Sequence, residues 1–125
     1  MRVDRILVIE DDERSAELIR ATLGQLSVEL TFVASLAQAR RRLAEGLPGM
    51  LLLDLRLPDG SGADLVREVR ALPGGDRVRI VAVSASVRPS DREVALGIGC
   101  DDFVEKPISP RDLVARLRRW QDAPR

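Results

Sequence analysis

The 125-residue chain has no histidine and no tyrosine, and only one cysteine, one tryptophan and one lysine. Without histidine it cannot carry Ser-His-Asp or Cys-His machinery, nor a histidine metal site. Any histidine chemistry has to come from a partner. A lone cysteine, Cys100, cannot close an internal disulfide, so a reducing compartment and a cytoplasmic location are expected. No apolar run reaches membrane-spanning length, and the start MRVDRILVIEDD has no signal-peptide pattern. Twenty basic residues balance twenty acidic ones. Bulk charge therefore gives no reason to expect a nucleic acid or an anionic membrane as partner. Arg40-Arg41-Arg42 reads as a solvated helix face. The length, and the lack of linkers, repeats or low-complexity segments, predict a single domain over 1–125.

Short apolar runs alternate with helical patterns. RILVIE (5–10), MLLLDL (50–55) and RIVAVSA (79–85) are continuous and rich in branched residues, which predicts strands buried on both faces. VELTFV (28–33) alternates, with Val28, Leu30 and Phe32 on one side, as an edge strand does. DFVE (102–105) predicts a short fifth strand. Helical stripes run through Ala16, Ile19, Leu23 and Leu26, then Leu36, Ala39, Leu43 and Leu47. Two more run through Leu65, Val69 and Leu72, and through Leu113, Leu117 and Trp120, which reads as core. Ser35/Gln38, Ser61/Asp64, Ser90/Glu93 and Ser109/Asp112 have capping-box spacing or a near variant, and Asp12 is the expected cap of the first helix. The fourth helix is expected over 90–98. Five β-α repeats predict an α/β, doubly wound, flavodoxin-like fold: a five-stranded parallel sheet, order 2-1-3-4-5, with helices on both faces. Its ligand site falls at the carboxyl ends of the strands.

Those ends carry Glu10-Asp11-Asp12, Asp54, Ser84 and Lys106. Crowded carboxylates must protonate or bind a cation, and oxygen ligands suit Mg2+. Asp11 and Asp54 together are read as metal ligands, and Asp12 as a helix cap. LPDGSG after Asp54 lacks the pattern of a phosphate-binding loop, so Gly60 and Gly62 are read as a structural turn into the third helix. Ser84 offers a hydroxyl at the rim. Lys106 offers a compact ammonium where the fork of an arginine fits less well. Pro107 after it is a candidate for a cis bond.

With these residues in this order, the whole chain resembles a response-regulator receiver domain of two-component signalling. ILVIEDD, LLLDLRLPDGSG, IVAVSAS and GCDDFVEKPISP carry the resemblance. It implies that Asp54 is the phosphoacceptor, with a phosphohistidine of a sensor histidine kinase or a histidine phosphotransfer protein as donor. It implies Mg2+, or Mn2+, ligated by Asp11, Asp54 and the Arg56 carbonyl, with Glu10 acting through a metal-bound water. Ser84 and Lys106 would hold phosphoryl oxygens. Phe103 matches the switch aromatic, which packs inward as the surface of the fourth helix, fifth strand and fifth helix changes towards a protein target. Arg56 and Ser86 stand where the family tunes the lifetime of the acyl phosphate, and the Arg56 side chain is expected to hinder attacking water.

Two other classes share the fold. A Mg2+-dependent phosphohydrolase would use Asp54 as nucleophile but needs a second aspartate where Arg56 stands. A flavin or nucleotide module would meet an acidic first loop that repels phosphate. The end of the chain soon after the fifth helix leaves two expectations open: a stand-alone receiver, or a receiver cut from a DNA-binding regulator or hybrid kinase.

Overall fold

The computed structural model describes residues 4–85 and 88–122. Among these described residues seven strands and five helices follow in order. They are β1 (Arg5–Ile9), α1 (Glu13–Leu23), β2 (Glu29–Val33), α2 (Leu36–Glu45), β3 (Met50–Asp54), β4 (Arg56–Leu57), β5 (Gly60–Ser61) and α3 (Gly62–Ala71). A 3-10 turn (Gly75–Arg77) then leads to β6 (Arg79–Ser84), α4 (Pro89–Gly97), β7 (Asp102–Glu105) and α5 (Pro110–Asp122). The main sheet is parallel, in the order β2-β1-β3-β6-β7. Setting aside the small β4–β5 hairpin, this is the expected 2-1-3-4-5 order.

The pleat sends successive side chains to opposite faces, and both faces are covered. Ile6 and Val8 pack with Ile19, Leu23, Leu113 and Leu117 of α1 and α5. Leu7 and Ile9 pack with Leu36, Leu65 and Val69 of α2 and α3. Every residue of β3 and β6 is buried. Each fully buried Leu or Ile contributes roughly 1.5–3 kcal/mol relative to exposure, so truncating Leu51, which is wholly buried, costs roughly 2–5 kcal/mol. At the edge, Val28, Leu30 and Phe32 of the β2 segment pack only partly against the α1/α5 layer. Trp120 is likewise partly buried against it.

Asp12 caps α1, accepting from the Arg14 amide at 3.3 Å and the Ser15 hydroxyl at 2.9 Å. Ser35 and Ser61 cap α2 and α3 as expected, and Ser109 accepts from the Asp112 amide at the start of α5. Three expectations need correcting. The fourth helix starts at Pro89, not after Ser90, and its N-cap is Arg88 with no side-chain cap bond. A proline lacks the amide that a first helical residue leaves unpaired anyway, and its fixed φ suits that position. Leu72 is 41% exposed: α3 ends at Ala71, Leu72 is extended, and Val66 takes the buried place. PDGSG is not a simple turn but closes the antiparallel β4–β5 hairpin. There the Gly60 φ of 146° is a conformation that favours glycine.

Candidate functional site

Parallel strands all point the same way, so their last residues share one rim. Ile9 pairs with Leu53, Asp54 with Val83, and Ser84 with Glu105. Glu10 and Asp54 therefore lie side by side, with Asp11 next in the chain. One ligand oxygen from each of these three carboxylates falls within 4.8 Å of the others. Glu10 and Asp54 are almost wholly buried, at 2% and 7% side-chain exposure, while Asp11 is exposed.

Lys106 reaches back from the end of β7. Its Nζ donates to Glu10 Oε1 at 2.9 Å and to Asp54 Oδ2 at 3.0 Å. Burial pushes the Glu10 carboxyl up, and the nearby Asp54 charge adds to this. The bonds from Lys106 and from the Asp12 amide do not offset it. Burial also works against the Lys106 ammonium, but the hydrogen bonds to Glu10 and Asp54 outweigh it and raise its pKa. The two acids therefore hold Lys106 as the ammonium. In this group of four, acids outnumber the base by two. A hard divalent cation answers both the excess charge and the oxygen donor set. The residues present fit such an ion.

The backbone completes the rim. The Arg56 amide donates to Asp54 Oδ1 at 2.9 Å, so both Asp54 oxygens are held. Gly62 lies against the Asp54 carbonyl, where an added Cβ would come within 2.7 Å. This close approach confirms the structural reading of that glycine. The Lys106 amide donates to the Ser84 carbonyl at 2.8 Å, and Ser84 is buried. The Lys106–Pro107 peptide is cis. The Arg56 side chain is exposed. Ser86 lies outside the described residues.

Phe103 is 3% exposed, in the cluster with Ala82 and Ala95. With no phenol to hydrogen-bond outside, nothing offsets its burial. Cys100 is buried too, and burial pushes its thiol up to about 11. It is unsuited to be a nucleophile.

Two acids escaped the sequence reading. Asp59, in the hairpin, accepts from the amides of Leu36 and Ala37 at 2.9 and 3.0 Å. Asp102 accepts from Arg116, from the Trp120 indole and from the Phe103 amide. Their partners lie up to 23 residues away, so no local pattern could have found them.

The fold and the acidic rim define a class: the model of the response regulator receiver domain matches residues 6–118. The chain belongs to that family. It is 37% identical over 114 residues to the phosphate regulon transcriptional regulatory protein PhoB of Rhizobium meliloti, covering 91% of this chain and 50% of that protein. It is 31% identical over 115 residues to an uncharacterized 14.6 kDa protein of Leptolyngbya boryana, covering 92% and 88%. The chain spans about half the length of the transcriptional regulators it matches. Among solved structures, a putative response regulator from Chloroflexus aurantiacus superposes with a TM-score of 0.90 at 27% identity, over 96% of this chain and 98% of that one. The receiver domain of the sensor histidine kinase PA1611 from Pseudomonas aeruginosa superposes at 0.86 with 35% identity, over 96% and 98%. That structure holds a magnesium ion coordinated in its active site cleft. No helix among the described residues is long and apolar enough to cross a membrane.

Proposed function

We propose that Asp54 accepts a phosphoryl group from a phosphohistidine on a sensor histidine kinase or histidine phosphotransfer protein. The observation that carries this reading is the Lys106 ammonium seated between Glu10 and Asp54. It sits where charge develops on an incoming phosphoryl group. A carboxylate oxygen of Asp54 attacks phosphorus, an O–P bond forms, and the P–N bond to the donor imidazole breaks. The nitrogen leaves with the electron pair and takes up a proton. The product is an acyl phosphate.

Asp11, Asp54 and the Arg56 carbonyl would hold Mg2+ or Mn2+, with Glu10 acting through a bound water. The ion would supply neutralisation of phosphoryl oxygen charge. The protein's own part is positioning and electrostatics. Lys106 and the Ser84 hydroxyl bind phosphoryl oxygens, and the Arg56 amide keeps the Asp54 carboxylate in one pose. The output is a shift in the surface of α4, β7 and α5, read by a protein target, with Phe103 as its internal reporter.

The test is incubation with a small phosphodonor, with and without Mg2+, followed by intact mass. Wild type is expected to gain one phosphoryl group, dependent on Mg2+, and Asp54→Asn none. Labelling of Asp54→Asn at the wild-type rate refutes the assignment. Multiple-turnover phosphate release would instead mark a phosphohydrolase. In the same samples the adduct is expected to decay faster in Arg56→Ala, if that side chain shields it from water.

A further inference from the structure

We infer that Asp59 is a positioning residue for Asp54, acting through the β4–β5 hairpin. The inference deepens the function proposed above, and its bearing on phosphoryl acceptance rests on that reading.

The start of α2 carries more acceptors than an exposed helix start requires. Ser35 already caps it, with Oγ accepting from the Gln38 amide at 3.2 Å, while Gln38 Oε1 takes the Ala34 amide at 2.7 Å. The two remaining first-turn amides, of Leu36 and Ala37, could have been left to water. Instead Asp59 takes both, one with each carboxylate oxygen. Those backbone bonds hold its carboxyl below the ordinary range, so the anchor is ionised at neutral pH.

The other end of this anchor is the hairpin. Asp59 sits in its turn, between Leu57 and Gly60, which pair across it. Gly60 lies so close to α2 that an added Cβ would meet the Leu36 side chain at 3.0 Å. Leu57 packs against the core beneath. The first hairpin residue, Arg56, pairs with Ser61 and gives its amide to Asp54 Oδ1. A continuous path therefore runs from the α2 amides through Asp59 and the hairpin to the Arg56 amide, and so to the acceptor carboxylate. The Arg56 carbonyl, the expected third ligand of the metal, belongs to the same two-residue strand. Holding a reactive group in one pose is worth large factors in rate, and an exposed two-residue hairpin cannot hold itself.

A purely structural role makes a distinct prediction, because Ser35 supplies a matched control. Ser35→Ala weakens the same helix start without touching the hairpin, whereas Asp59→Ala weakens both. Amide hydrogen exchange at Arg56 reads the pose without any phosphoryl chemistry. Asp59→Ala, which removes both anchoring bonds, is expected to lower Arg56 protection about tenfold or more, with Ser35→Ala close to wild type. Asp59→Asn, which keeps one acceptor oxygen, should fall between. Calorimetric titration with Mg2+ is expected to show a several-fold loss of affinity in Asp59→Ala alone. Equal Arg56 protection in the Asp59→Ala and Ser35→Ala proteins, or equal Mg2+ affinity, overturns the inference. If wild type takes no label but the Arg56 contrast and the Mg2+ contrast both hold, the proposed function fails and the anchor stands.

Discussion

Replacing Asp102 should unfasten α5 from the sheet. The carboxylate is 4% exposed. It accepts from the Trp120 indole at 3.0 Å, from the Phe103 amide at 2.9 Å and from the Arg116 guanidinium. Asp102→Ala takes this partner from the buried Phe103 amide and from the partly buried Trp120 indole, each loss costing roughly 1–3 kcal/mol. Arg116 is one-quarter exposed and keeps Asp112 as a second partner at 2.9 Å. It rehydrates readily, so its share is below about 1 kcal/mol. The expected loss is about 3 kcal/mol, or about 10 °C in midpoint for a domain of this size. Trp120 is the chain's one tryptophan, so its fluorescence follows the transition directly. A midpoint drop of less than about 3 °C refutes the reasoning. Acid supplies a second check. Burial alone would push the Asp102 carboxyl up, but the bonds from Trp120, Phe103 and Arg116 outweigh it and hold it below its ordinary value. The native state therefore binds fewer protons than the unfolded chain as pH falls through the carboxyl range. The stabilisation is full above about pH 4 and is lost as pH drops through the folded value. Asp102→Asn lacks this contribution, so the gap between it and wild type should close in acid. A gap unchanged from about pH 7 to about pH 3 contradicts the linkage.

Adjacent aspartates should separate cleanly. Asp11→Ala is expected to remove most Mg2+ affinity in a calorimetric titration, and unchanged binding rejects the metal assignment. Asp12→Ala loses the α1 cap and should lower the thermal midpoint modestly while leaving Mg2+ affinity near wild type. Lys106→Arg keeps the charge but swaps a point donor, seated 2.9 and 3.0 Å from two buried acids, for a planar fork. Its rate of labelling by a small phosphodonor is expected to fall by about tenfold or more, and a wild-type rate would sink the steric argument.

How far the sequence was legible depends on the range of each interaction. The central strands were plain because both faces are covered, which forces continuous apolar runs such as LLL at 51–53. The rim followed, because parallel strands must deliver Glu10, Asp54, Ser84 and Lys106 to one edge. Local caps at Asp12, Ser35 and Ser61 were visible for the same reason: their partners lie two or three residues on. The Ser90/Glu93 spacing misled because it has the form of a cap, while Pro89 alone suits the first helical position. Leu72 misled because the apolar period runs one residue past the end of α3. Asp59, Asp102 and the Arg70 guanidinium, which binds the carbonyls of Gly75, Val78 and Gly99, make their bonds across the fold. A one-dimensional pattern holds no trace of such pairings.

The single lysine gathers these threads. Its Nζ binds the acids that end β1 and β3, and its amide binds the last carbonyl of β6. Lys106 follows directly on β7. One residue is therefore in contact with four adjacent strand ends, and Phe103 lies three positions before it on β7. A change of charge at Asp54 acts first on that ammonium, because no other cationic side chain among the described residues has a salt bridge to Asp54. Any displacement of Lys106 then pulls on the Ser84 carbonyl and on the strand that carries Phe103. On the function proposed above, the route from Asp54 to the α4–β7–α5 surface needs no chain of intermediaries. It is one side chain and one peptide long, so a shorter or a broader cation at this position is expected to weaken it.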